Sequence, residues 1–176
     1  MLDLRSFELE PGSVRHETAT VHLDPMLLGG QSYEVRPEQL PVQIELQPGH
    51  GSLFMKLRFT ATVHGPCMRC LEDAQLEVRA AAEEYHDHGA AARGDEELAS
   101  EYLHDMQLDL EAWARDTLAE ALPEKILCNA DCAGLCALCG ERLQPGDDHA
   151  CAEPEPDTRW EKLRELLGER NMKQGT

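Results

Sequence analysis

The chain has 176 residues, with 16 Lys and Arg against 34 Asp and Glu, and a formal net charge of −18. That field repels phosphate and excludes a generally cationic surface for nucleic acid. No run approaches the ~20 apolar residues of a membrane helix, and Met1-Leu2-Asp3-Leu4-Arg5 lacks the basic-then-apolar order of a secretory signal, so a cytoplasmic protein is expected.

The N-terminal half reads as β. Leu2-Asp3-Leu4 and Phe7-Glu8-Leu9 alternate apolar and polar residues, and Pro11-Gly12 marks a turn. Thr18 to Leu23 alternates as a half-buried strand, and Gly29-Gly30 breaks the chain. Val42 to Leu46 is a period-2 strand, followed by a turn at Pro48-Gly49-His50-Gly51. Leu53 to Val63 is the longest strand candidate, with Leu53, Met55, Leu57, Phe59, Ala61 and Val63 on one face. Leu76 to Ala80 returns as another strand, which places Cys67 and Cys70 in a connection between two antiparallel strands. From Glu83 to Glu111 ten carboxylates oppose Arg93 alone. Such a run is ordinarily a solvated, mobile loop, and the alternative is a docking surface for a basic partner.

Leu108 to Leu122 predicts a helix, with Leu110, Trp113, Ala114, Leu118, Ala121 and Leu122 as its apolar stripe. Asp109 is the candidate N-cap, and Pro123 ends the helix. Trp113 reads as a core anchor. Residues 124–157 lack apolar periodicity and need a staple. Glu153-Pro154-Glu155-Pro156 reads as a stiff spacer, and a last helix is expected from Thr158 with Trp160, Leu163, Leu166 and Leu167 on one side. The expected fold class is α+β: a mainly antiparallel β core, a helix near 108–122, a Cys-rich zinc-bound segment and a C-terminal helix. The division expected is a β-rich core plus helix over 1–123 and the Cys-rich segment with its helix over 124–176, integrated in one domain.

With 41% hydrophobic and 5% aromatic residues, this core must be built mostly from Leu, Val, Ile, Met and Ala. Seven cysteines accompany it. In a reducing cytosol they are not expected as structural disulfides. Cys67 and Cys70 form one C-x-x-C, Cys128, Cys132, Cys136 and Cys139 fall within twelve residues, and Cys151 follows His149 by two. Zinc takes four such ligands in a tetrahedron, and a C-x-x-C turn brings two thiolates to one ion. Two assignments compete. Cys128, Cys132, Cys136 and Cys139 could form one local site. Alternatively, Cys67 and Cys70 join Cys128 and Cys132, while Cys136, Cys139, His149 and Cys151 form a Cys3His site. Ligand counting favours the second, which leaves no orphan thiol. Thiol–disulfide exchange is the rival chemistry, but its C-x-x-C motifs open helices, whereas Cys67 follows Gly65-Pro66 at a strand end. A catalytic zinc needs an open position. His64 and Glu72 lie near the first pair, yet no spacing calls for catalysis, and no phosphate loop, G-x-S-x-G or H-E-x-x-H occurs.

These residues resemble a family. Cys67-Met68-Arg69-Cys70-Leu71-Glu72 is similar to the C-x-R-C-L-E signature of the bacterial YceD family. Leu122-Pro123, Cys128 and the run Asp131 to Gly140 resemble its second block, C-x-x-x-C-K-G-L-C-P-x-C-G. Asp157-Thr158-Arg159-Trp160 through Leu166 is similar to its D-P-R-W-x-x-L-x-x-L close. Ala133 and Ala137 replace the usual Lys and Pro, and His149 stands where many members carry cysteine, an exchange of one ligand type for another.

The resemblance implies a non-enzymatic role in accumulation of large-subunit ribosomal RNA, with zinc as a structural stabiliser. The charge of −18 is in tension with RNA binding. Either the acidic stretch holds basic ribosomal proteins of the large subunit, or a local cluster of Arg69, Arg58 and Lys56 touches an RNA precursor. No membrane or small-molecule substrate is expected. The alternative is a zinc-stabilised acidic interaction module acting outside ribosomes.

Overall fold

The structure is a computed structural model that describes residues 1–146, 148–151, 160 and 162. The chain divides into two units, Met1–Cys132 and Ala133–Thr176. The spacer and the last helix expected beyond residue 152 lie outside the described residues, apart from isolated positions.

The first unit is built on an antiparallel sheet of β2 (Arg15–Val21), β3 (Met26–Leu28), β4 (Gln31–Arg36), β5 (Leu40–Pro48), β6 (Ser52–Pro66) and β7 (Asp73–Asp87). The long strand β6 organises it. One edge pairs with β5 over Leu53–Arg58 and with β4 over Thr62–His64, while the other pairs with β7 along its whole length. The period-2 pattern explains the placement: Leu53, Met55, Leu57, Phe59, Ala61 and Val63 are all buried. Leu40, Val42, Ile44 and Leu46 of β5 extend that apolar face.

The helix α2 (Leu110–Ala121) packs on β7 and β2. Asp109 caps it by accepting from the Ala112 amide at 3.1 Å, and Leu122 leaves the helix in an extended conformation before Pro123. Leu110, Trp113, Ala114 and Leu118 are buried as expected, but Ala121 is exposed and Thr117 is buried in its place. The Thr117 hydroxyl can be buried because it donates to the Trp113 carbonyl at 2.7 Å.

Three expectations are corrected. Phe7–Leu9 is not a strand, because the chain turns through a 3-10 helix at Leu4–Ser6 after the short β1 (Leu2–Asp3). Gly29-Gly30 is not merely a break: with φ of 56° and 81° the two glycines form the hairpin turn between β3 and β4. The acidic stretch is not one solvated loop. Its first five residues continue β7, a short helix α1 (Ala90–Arg93) follows, and β8 (Leu103–His104) and β9 (Gln107–Leu108) form a small sheet with β1. Buried Leu4, Leu103 and Leu108 hold that sheet in place, which carboxylate counting does not register.

Near the end of β7, His86 and His88 meet edge-to-face with ring centroids 5.1 Å apart. His86 Nδ1 is buried without a hydrogen-bond partner. Burial, then the charges of His88 and His104, hold the His86 pKa below its ordinary 6.5, against an opposing pull from Asp87. The neutral ring is therefore favoured in the folded state. Its contribution to stability is complete above the unfolded value and lost as pH falls through the folded one. In urea titrations His86→Gln is expected to flatten the loss of stability below about pH 6.5; an unchanged pH profile would remove His86 as its source.

Candidate metal centres

Four cysteines of the first unit converge. Cys67 and Cys70 come from the β6–β7 connection, and Cys128 and Cys132 from the segment after α2. Their sulfurs all lie within 4.8 Å of one another. Cys67 and Cys132 are 3.8 Å apart, and Cys70 and Cys128 3.6 Å apart. A tetrahedral zinc at about 2.3 Å from each thiolate sets sulfurs about 3.8 Å apart, so these spacings fit an ion without rearrangement.

The surrounding backbone explains the convergence. Tyr33, fully buried on β4, donates its hydroxyl to the Pro66 carbonyl at 2.8 Å and fixes the strand end that delivers Cys67. Gly65 lets the Tyr33 ring lie against β6, where a Cβ would overlap it. On the other side, buried Ile126 accepts from the Met68 amide at 2.9 Å. Arg69 donates from its guanidinium to the Cys132 carbonyl at 2.7 Å, and so ties one cysteine pair to the other.

The second unit brings together Cys136, Cys139, His149 and Cys151, again within 4.8 Å. Here Cys136 and Cys151 are 3.2 Å apart, Cys139 and Cys151 3.1 Å, and His149 Nε2 lies 2.8 Å from Cys151. These edges are tighter than those of a filled zinc tetrahedron, so an ion would spread them slightly. His149 Nδ1 faces a Glu141 carboxylate at 3.6 Å, which leaves Nε2 for the metal. Carboxylate support of a ligand imidazole is a common device of metal sites. Glu141 was not visible as a site residue in the sequence, because no spacing rule singles it out.

Both C-x-x-C turns have the same construction. In the first, the Cys67 amide donates to Glu72 O at 2.7 Å, Leu71 to Cys67 O at 3.0 Å, and Arg69 to Cys67 Sγ at 3.5 Å. In the second, Cys136 donates to Glu141 O at 2.7 Å, Gly140 to Cys136 O at 2.9 Å, and Leu138 to Cys136 Sγ at 3.4 Å. Burial raises the Cys67 pKa, but amide donation from Arg69 and Cys70 outweighs it and brings the thiol to about 6. The Cys139 and Leu138 amides bring Cys136 to about 6. Each turn thus presents one thiolate near neutral pH, the form that binds metal.

The turns differ at one position. After the second cysteine the chain needs a left-handed residue. Gly140 supplies it at φ 74°, whereas Leu71 adopts φ 63°. A non-glycine residue there costs about 1–2 kcal/mol, and Leu71 is 59% exposed, so burial returns little. Leu71→Gly is expected to stabilise the metal-loaded unit by up to about 1 kcal/mol, the strain relieved less the entropy glycine brings. Chemical denaturation checks this, and a loss of stability would show that Leu71 is not strained.

The structure therefore separates Cys128 and Cys132 from Cys136 and Cys139, which the local-cluster alternative would have joined. It also disperses the expected arginine and lysine cluster. Arg69 sits in the first turn, while Arg58 and Lys56 lie mid-β6, about 30 Å of strand from Cys67. Lys56 is engaged by Glu83 at 3.1 Å. Among the described residues no helix is long and apolar enough to cross a membrane.

The sequence model of the family described as Large ribosomal RNA subunit accumulation protein YceD matches residues 55–167, a stretch containing all eight candidate ligands. An uncharacterized protein of Mycobacterium tuberculosis is 28% identical over 173 residues, covering 95% of this chain and 81% of that protein. An uncharacterized protein of Mycobacterium bovis matches to the same extent. One from Mycobacterium leprae is 32% identical over 112 residues, 61% of this chain and 50% of that protein. No solved structure matches.

Proposed function

The chain belongs to the YceD family, and from that premise we propose that it is a non-enzymatic, cytoplasmic factor in large-subunit ribosomal RNA accumulation, stabilised by two structural zinc ions. The observation that carries this reading is the family match over the stretch in which two complete four-ligand sets assemble. Thiolate-rich sets of four suit zinc. Cys67, Cys70, Cys128 and Cys132 would hold one ion, and Cys136, Cys139, His149 and Cys151 the other. Bound there, zinc supplies a cross-link between distant chain segments. Four protein ligands fill the tetrahedron and leave no open position for substrate, which argues for structure over catalysis.

The test is recovery of the tagged chain from cells, with co-purifying RNA and proteins identified. Large-subunit RNA precursors or basic ribosomal proteins are the expected companions. Recovery of neither, with other proteins in their place, would favour an interaction module acting outside ribosomes. Metal quantification on the same material is expected to give about two zinc ions per chain.

A further inference from the structure

The face of the sheet turned away from the buried residues is open and unusually poor in carboxylates at one place. Across four strands the register sets Thr18 of β2 beside Gln43 of β5, Gln43 beside Arg58 of β6, and Arg58 beside Ala81 of β7. One step along, Thr60 faces Arg79. These residues line a hollow of about 490 Å³ that, among the described residues, no Asp or Glu side chain lines; Glu17 and Glu45 line only the adjoining hollow on the Lys56 side. In a chain of charge −18, a site with two guanidiniums and no carboxylate in its wall is a local reversal of sign.

The two arginines are differently engaged from their neighbours. Lys56, one step along β6, is held by Glu83 at 3.1 Å. Among the described residues Arg79 has only the long 3.8 Å approach of Glu77 as an ion pair. Arg58 has no ion-pair partner among the described residues. Arg58 and Arg79 are diagonal cross-strand neighbours, a placement that sets Cα atoms about 7–8 Å apart and lets long side chains converge. Thr18, Thr60 and Gln43 add neutral hydrogen-bonding groups around them. Further along the same face the row of Glu45, Lys56 and Glu83 restores the negative sign and bounds the site.

We propose that this hollow is a phosphate-contact site for single-stranded RNA, with Arg58 and Arg79 gripping the backbone. The inference deepens the ribosomal reading and rests on it for the choice of RNA as the polyanion. It places the RNA contact on the sheet face and not at the Arg69 turn, whose guanidinium is already committed to Cys132. A narrow contact of this kind also accommodates the overall charge: guanidiniums grip locally while the acidic remainder opposes any broader coating.

The test uses the full chain loaded with zinc and a labelled, unstructured oligoribonucleotide of about 20 nucleotides, long enough to cross the sheet at the usual single-strand site sizes. Anisotropy is read between 50 and 200 mM salt, the range over which phosphate contacts lose affinity. Wild-type binding is expected to weaken with salt. Arg58→Gln with Arg79→Gln is expected to weaken it at least about tenfold at low salt and to reduce the log–log slope by about 1.4, two single-strand contacts. Arg36→Gln, on β4 and paired with Glu34 at 2.7 Å, is expected to leave the slope unchanged. Both arginines of the hollow lie on an exposed face, so an unchanged melting temperature certifies the fold. No binding by the wild type, or equal binding by the double variant, would overturn the proposal. So would displacement by inorganic phosphate or by poly-glutamate at equal charge, which would assign the hollow to free phosphate or to acidic polypeptide. The outcomes separate from those of the ribosomal reading: if the double variant still recovers ribosomal RNA from cells as well as the wild type, the hollow is wrong and that reading stands.

Discussion

Cys67→Ser is expected to lower the zinc content from about two ions per chain to about one and to bring the first unit to the edge of unfolding. A structural zinc contributes on the order of 10 kcal/mol or more, and whole domains are stable by only about 5–15 kcal/mol. Cys67 is fully buried, so serine cannot rotate out to solvent and a water cannot readily take its place as ligand. The strand end is held by the Tyr33–Pro66 hydrogen bond and by pairing of Pro66 with Asp73 on β7; what the lost ion removes is the tie between Cys67 and the segment after α2, where the Met68–Ile126 bond is left to carry it. Metal quantification with thermal unfolding checks this. Cys139→Ser is the control. It should also remove one ion, but from the second unit, leaving the melting of Met1–Cys132 unchanged. If Cys67→Ser retained two ions, the grouping of Cys67 and Cys70 with Cys128 and Cys132 would be wrong.

Trp113→Ala is the second large effect, at about 3–5 kcal/mol, or roughly 10–20 °C in melting temperature for a unit of this size. Trp113 is 1% exposed and is among the largest fully buried side chains. It stacks on Tyr102 with centroids 6.2 Å apart. Trp113 Nε1 is buried without a partner, so Trp113→Phe removes an unsatisfied donor along with part of the ring. The two effects offset, and phenylalanine should recover most of the stability. A phenylalanine variant as unstable as the alanine one would mean that indole shape, not ring volume, holds α2 on the sheet. Zinc content should be unchanged in both folded variants.

The strands and the helix that carry strong periodicity were readable before the structure. Leu53 to Val63 alternates without interruption, and burial follows that alternation residue by residue. Asp109 and Pro123 bracket α2 because a cap and a proline act locally. The failures share a cause. Met26–Leu28 is too short to show a period and Gln31–Arg36 carries apolar side chains only at Tyr33 and Val35, so Gly29-Gly30 read as a break and not as the hairpin turn between two strands. Glu83 to Asp87 continue β7 because β6 offers fifteen residues of edge to pair with, a long-range reason that outweighs local like-charge repulsion. The metal ligands were legible because thiolate spacing is a local signature. Their supports, Tyr33, Arg69 and Glu141, come from three separate elements and act through contacts that no sequence interval encodes.

The distances along the chain between ligands carry a consequence for synthesis. The first set joins residues 58 and 65 positions apart, whereas the second spans 15 or fewer. Closing the longer loop costs about 1.3 kcal/mol more in chain entropy. It also imposes an order in time. Elongation at about 5–20 residues per second leaves Cys67 and Cys70 outside the ribosome for about 3–12 s before Cys132 follows them. During that interval the pair is an open two-thiolate chelate, available to oxidants and to competing soft metals. The second set emerges almost together and can close at once. The protein's vulnerability to a shortage of its metal should therefore fall on nascent chains of the first unit, not on the finished molecule.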